Sequence, residues 1–236
     1  MNLLMRTLRG RMRRRLLLTY RVDPSVAGEM IPAPFRPQLI DGSAVGGVCL
    51  IALTELRPGW LRPRWGISTE NAAHRFAVEW DESGTTRTGV YVIERHSSDI
   101  VPVIGGGRFF PGVQRRARFD IDETDSRIQV RMQASDASVS ADIEVSEEWE
   151  SSLFPTVGDA SRFYRAGATG WSPRRDGRGA EAVELSAARW AVEAGRVNEV
   201  RSSFFDGLPQ GAAQIDSVLV MRDLPVSWRR PATTRP

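Results

Sequence analysis

The chain has 236 residues, 41% of them hydrophobic, which suffices for the core of one large β domain or two small ones. Its 32 basic and 29 acidic side chains nearly cancel, so the net charge of +3 gives no footprint for nucleic acid. All of the basic residues are arginine; without lysine, the chain has no side-chain amine with which to form a Schiff base.

Taken in order, residues 1–15 carry six arginines among leucines and methionines. The apolar Leu16-Leu-Leu18 that follows is too short for a secretory core and lacks a cleavage site, so residues 1–15 are expected to be a basic lead-in. No run approaches the roughly 20 apolar residues of a membrane helix, and no stable membrane insertion is expected. Leu16–Val22 reads as a strand. Asp23-Pro24 then marks a helix start, with aspartate as cap and proline at the first helical position, and the helix stops near Met30 before Pro32. Residues 43–54 are apolar on both alternating faces and predict a central strand containing Cys49, the only cysteine, which is expected to fill core. A single cysteine excludes an intrachain disulfide and suits a reducing cytoplasm.

A loop rich in Pro, Gly and Trp (57–66) precedes a hairpin of residues 72–80 and 89–97. Residues 113–122, 127–134 and 137–145 continue as antiparallel strands, with Ile128, Val130 and Met132 set against Val139, Ala141 and Ile143. One longer helix is predicted after the cap at Thr156, with Ala160, Phe163 and Tyr164 as its apolar stripe and Gly167 as its end. Residues 170–179 read as loop, three further strands cover 181–187, 197–205 and 214–222, and residues 229–236 read as a disordered tail. With no βαβ rhythm and no linker to divide residues 16–228, the expected fold is mainly β (α+β), a single antiparallel barrel with a few short helices.

Chemistry is concentrated at few positions. Alternation places Arg115 with Val113, Ala117, Phe119 and Ile121, an inward cation that needs an anionic partner. His74 shares a face with Phe76 and Val78, and His96 with Val90, Val92 and Glu94; without HExxH or HxH spacing, both are expected to be structural, with no metal site. Gly105-Gly-Gly107 is neither a dinucleotide nor a phosphate-loop pattern and reads as a turn.

The run from Leu17 to Phe35, with Tyr20-Arg21-Val22-Asp23, a short helix and Pro32-Ala-Pro34, resembles the start of acetoacetate decarboxylase and its relatives. Ser68-Thr-Glu70-Asn71 is similar to that family's Tyr-x-Glu segment, and Gly107-Arg108 followed by Arg115-Arg116 resembles its Gly-Arg-Glu…Pro-Lys-Lys segment. The likeness spans about residues 13–118 and points to the uncharacterised branch of that superfamily. It implies a β-barrel or cone with an interior pocket, Glu70 lining that pocket, and Arg13 where the family keeps an arginine. Arginines stand where the resemblance expects the reactive lysine pair, and near Gly46–Val48 no counterpart of a second pocket glutamate exists. Guanidinium is not nucleophilic, so imine-based decarboxylation is excluded and no cofactor is expected.

Two expectations follow. One is a binding protein for a small carboxylate, held by Arg115 with Glu70, Arg13 and Arg108; the other is an enzyme using Glu70 with His74 or His96 for proton transfer. A homo-oligomer is compatible with either.

Overall fold

The computed structural model describes residues 7–99 and 112–231. Fourteen strands are seen among them: β1 (Thr7–Val22), β2 (Arg36–Pro37), β3 (Leu39–Ile40), β4 (Ser43–Pro58), β5 (Ile67–Glu82), β6 (Thr85–Ser97), β7 (Gln114–Arg116), β8 (Arg118–Glu123), β9 (Arg127–Gln133), β10 (Ser138–Ser146), β11 (Thr169–Pro173), β12 (Ala180–Ala187), β13 (Glu193–Ser202) and β14 (Ala213–Arg229). Three short helices accompany them: α1 (Pro24–Met30), α2 (Val157–Ala166) and α3 (Ser203–Asp206).

All strands belong to one sheet, ordered β1-β4-β5-β6-β11-β12-β14-β13-β10-β9-β8, and β14 also pairs with β1. That extra pairing bends seven strands into a ring. The strands from β13 to β8 extend from β14 as a flap. The joint between β6 and β11 is only Gly170 against Val90 and Trp171 against Tyr91, so the ring closes partly there. That joint and the β6–β7 pairing are parallel, which departs from the purely antiparallel expectation.

Each long ring strand separates two apolar clusters, as a two-sided strand must. Leu17, Cys49, Ala77, Val183, Leu219 and Met221 face the ring interior with Ala160 and Tyr164 of α2. Leu16, Leu18, Val48, Leu50, Phe76 and Val218 face outward and share a second cluster with Ile128, Val130, Met132, Val139, Ala141 and Ile143 of the flap. The flap pairs Val139 with Met132, Ala141 with Val130 and Ile143 with Ile128, as alternation predicts.

The caps follow the sequence. Asp23 accepts from the Ser25 N–H at 2.8 Å with Pro24 in the first turn, and Thr156 accepts from the Asp159 N–H at 3.1 Å. Expected boundaries are corrected at several points; the strand expected over 197–205 ends at Ser202, and α3 begins at the next residue. β1 begins at Thr7 because its arginines find partners on both faces of the sheet, so residues 7–15 are strand. Residues 169–173 form β11, since β12 supplies an antiparallel edge along their length. The glycine run 105–107 and Arg108 lie outside the described residues.

Candidate functional site

Three consecutive arginines go to three places. Between Met12 and Arg14 the β1–β4 register slips by one residue, and Arg13 occupies the bulge, where its half-exposed side chain pairs with Glu123 at 2.9 Å. Arg14 turns to the outer face, fully buried, and reaches Glu70 at 2.5 Å and Glu123 at 2.9 Å. Burial raises the Glu70 carboxyl above its ordinary value, against the pull of Arg14 and Arg13. Arg15 turns into the ring.

Inside the ring, Arg15 meets Arg75 of β5 and Arg95 of β6 around a cavity of about 120 Å³ whose wall includes residues of all seven ring strands. Cross-strand pairing explains the meeting, because Arg95 lies beside Ala73 and Arg75 follows two residues on along the same face of β5. Arg15 donates Nε–H to the Cys49 sulfur at 3.2 Å and lies over the Trp190 ring. Arg95 donates to Ser172 Oγ at 3.2 and 3.1 Å. Arg75 stands over the Tyr164 ring, 5.5 Å from its centroid, and Tyr164 is fixed by a 2.6 Å hydrogen bond with Thr19. Among the described residues no carboxylate lies within ion-pair distance of any of the three. The remaining segments, 1–6, 100–111 and 232–236, contain no aspartate or glutamate. Burial pulls the Arg75 guanidinium down and lowers that of Arg95 to about 10. Burial pushes the Cys49 thiol up, but Arg15, Arg75 and Arg95 more than offset it, leaving the thiol below its ordinary value.

A second polar group lies between the ring and the flap. The β5–β6 register shifts after His74, so Ile93 is an extra residue: His74 pairs with Glu94, and Arg75 with Val92. The bulge moves Glu94 and His96 off the face of Val90 and Val92, where strict alternation puts them, and onto that of His74. His74 and His96 are buried with rings at right angles and centroids 6.3 Å apart. His74 Nε2 bonds Ser202 at 3.1 Å and its Nδ1 lies 3.6 Å from Glu94; His96 Nε2 bonds Asp136 at 3.3 Å. Burial and the neighbouring His96 lower the His74 pKa to about 4, against the pull of Asp136.

Arg115 belongs to this second group. The expectation that it turns inward is corrected: its side chain is 51% exposed and pairs with Asp136, and Glu94 lies 3.8 Å away. Alternation fails because β7 ends at Arg116 and β8 starts at Arg118, and Val113 at the near end is itself exposed. Among the described residues the Glu70 carboxylate accepts from Arg14, and its backbone is held by Ser98 and by the Thr69 hydroxyl; neither histidine is among these partners. Sequence reasoning missed Arg15, Arg75 and Arg95. The available signal was an arginine amid apolar neighbours on long strands, blurred by the two bulges.

No curated protein matches the sequence. Solved structures match over nearly the whole chain. The crystal structure of acetoacetate decarboxylase from Legionella pneumophila superposes with a TM-score of 0.62 at 12% identity, covering 97% of this chain and 87% of that one. An acetoacetate decarboxylase-like enzyme from Sphingomonas wittichii RW1 gives 0.60 at 15%, covering 97% and 92%. The enduracididine biosynthesis enzyme MppR complexed with pyruvate gives 0.52 at 13%, covering 94% and 85%. At these identities the likeness establishes the fold, which is that of the acetoacetate decarboxylases. The family model of DUF2071, described as an uncharacterized conserved protein, matches residues 9–219, and the chain belongs to that family.

Proposed function

We propose that this protein binds a small carboxylate inside the ring, between Arg15, Arg75 and Arg95, without forming an imine. The observation that carries this reading is a surplus of positive charge: three guanidinium groups line one cavity, and among the described residues the anion-forming groups against them are the Cys49 thiol and the Tyr164 phenol, the latter held neutral by burial, which raises its pKa. Unpaired buried charge is costly, and a carboxylate accepted by two forks removes the cost. The cavity has roughly ten times the space one water needs, enough for an acid of a few heavy atoms. A structure of similar fold is described as complexed with pyruvate, which supports a keto acid as the first class to test. The absence of lysine removes the side-chain amine that imine chemistry requires.

This reading moves the anchor from Arg115, Arg13 and Glu70, whose partners are other protein side chains, to the ring arginines. Nothing in the hydrogen bonding of Glu70 favours the alternative of acid–base catalysis shared with a histidine.

The test is calorimetric titration and thermal shift with pyruvate, acetoacetate and succinate on wild type, Arg75→Ala, Arg95→Ala and Arg115→Ala. At one hundred times Kd a bound acid stabilises the native state by about 2.7 kcal/mol. Stabilisation should vanish in the ring variants and persist in Arg115→Ala. No stabilisation by any acid, or equal stabilisation in Arg75→Ala, overturns the reading.

A further inference from the structure

We infer that His74, His96 and Glu94 form a binding site for a first-row divalent metal ion, of the zinc class, between the ring and the flap. One donor atom from each residue lies within 4.8 Å of the others, close enough to converge on a single ion with small side-chain movements.

The stronger observation is how the two imidazoles are held. Each ring uses Nε2 for an outer oxygen, Ser202 at 3.1 Å for His74 and Asp136 at 3.3 Å for His96. Each leaves Nδ1 buried with no hydrogen-bond partner. Buried polar atoms are rarely left so, and two in one cluster call for a common partner. Ionised Asp136 can only accept, so the His96 proton sits on Nε2 and the Nδ1 lone pair is free. The Ser202 hydroxyl can accept as well as donate, so His74 reaches the same state in the tautomer that carries its proton on Nε2. An outer oxygen on one ring nitrogen, with the other left free, is the arrangement that orients histidine for a metal, and His74 Nδ1 in addition faces Glu94.

Glu94 completes the set. Its Oε1 is 3.8 Å from Arg115 and its Oε2 is 3.6 Å from His74 Nδ1, so one oxygen faces the cation and the other the imidazole. The 3.6 Å separation is too long for a hydrogen bond and is spanned by an ion between the two atoms. Arg115, bonded to Asp136 as well, is a positioning residue for Glu94 and for the second-sphere carboxylate. The Ile93 bulge puts all three donors on one face, opposite Arg75 and Arg95; His96 also borders the ring cavity, so the two sites adjoin while drawing on different side chains. Two imidazoles and one carboxylate leave room in the coordination sphere for water or a small ligand, and they select Zn²⁺, Co²⁺ or Ni²⁺ over Mg²⁺ and Ca²⁺.

The experiment strips the full-length protein with chelator and titrates it with Zn²⁺ by calorimetry and with Co²⁺ by visible absorption, with Mg²⁺ as a negative arm. The expected result is one equivalent of Zn²⁺ per chain and Co²⁺ ligand-field bands that move when nitrogen donors are removed. Glu94→Gln, a partly exposed position that should not cost the fold, should abolish stoichiometric binding; Asp136→Asn should weaken it about 10- to 100-fold. Cys49→Ser should leave it unchanged, which separates this site from the thiol in the ring. His74→Ala and His96→Ala are read only if circular dichroism shows them folded. No Zn²⁺ bound, binding unaltered in Glu94→Gln, or binding lost in Cys49→Ser would each overturn the inference.

Discussion

The Nε of Arg15 donates to the sulfur of Cys49 across 3.2 Å inside the ring, and Arg75 and Arg95 add their charge to the same sulfur. A small core thiol is thereby turned into an anion-forming side chain on which the charge of all three cations acts. In its thiol form Cys49 is neutral and the cavity carries the full positive charge; as thiolate it removes one unit.

Alkylation of Cys49 should therefore begin at lower pH than for a free thiol. In the folded protein the pKa lies below its unfolded value, so the thiolate contributes stability above the unfolded pKa, and that contribution is lost as pH falls through the folded one. Arg15→Met should raise the midpoint of the pH–rate profile for iodoacetamide and slow the reaction at pH below that midpoint. Arg75→Ala should slow iodoacetate more than iodoacetamide, because only the former carries the charge the cavity attracts. A profile that stays put in Arg15→Met contradicts the electrostatic account.

Most of the secondary structure can be read from the sequence because it rests on local rules. The Asp23-Pro24 cap, the Thr156 cap with its Ala160 and Tyr164 stripe, and the β9–β10 register each follow from neighbours within a few residues. The site is harder to read because each bulge inverts the face of everything beyond it. Without the extra residue Ile93, strict alternation sends His96 to Val90 and Val92; with it, His96 joins His74 and Glu94. The bulge at Arg13 has the same effect in β1, separating Met12 on the ring face from Arg14 on the outer one, which strict alternation would keep together. The resemblance to the decarboxylases predicts the fold correctly, yet its carried-over positions Arg13 and Arg115 are half-exposed ion-pair partners.

Removing the Arg14 cation should be far worse than removing its whole ion cluster. Arg14 is fully buried, and Glu70 and Glu123 remain facing each other without it. Arg14→Met should cost about 3–5 kcal/mol in urea unfolding, the usual penalty for stranding buried charge. The triple variant Arg14→Met, Glu70→Gln, Glu123→Gln should recover at least half of that loss. A triple variant less stable than Arg14→Met would mean that the cluster is a net source of stability and not a balanced one.

One chemical change at two glycines should act with opposite signs. A Cβ on Gly47, in the first half of β4, would sit 2.4 Å from the Leu18 carbonyl oxygen, a backbone atom of β1 with no freedom to retreat. Gly47→Ala should cost at least about 1–3 kcal/mol through displaced strands. At Gly28 in α1 nothing lies within 4 Å of an added Cβ, so Gly28→Ala should stabilise by about 0.5–1 kcal/mol through helix propensity. Equal effects at both positions would show that strand spacing is not what requires the glycine.

The approach to α2 should weaken in acid through one carboxylate. Asp216 of β14 accepts from the Ser152 N–H at 2.7 Å, from the Ser152 hydroxyl at 2.6 Å and from the Ser151 and Ser217 hydroxyls, tying down the segment that leads to the helix carrying Tyr164. Burial raises its carboxyl, and the hydrogen bonds from Ser151, Ser152 and Ser217 outweigh that, holding it below the ordinary carboxylate value. A folded pKa below the unfolded one means that the stability is present above the unfolded value of about 3.9 and lost as pH falls through the folded value. Asp216→Asn should cost about 1.5–3 kcal/mol at neutral pH, the range for hydrogen bonds to a charged group. The gap between variant and wild type should narrow once pH drops below the unfolded carboxylate value, because the wild-type group then takes up a proton too. Hydrogen exchange at Leu153 and Phe154, whose amides donate to Ser151 Oγ, reports the same loosening locally. A gap that stays constant down to pH 2 would assign the loss to the changed side chain's packing and not to its charge.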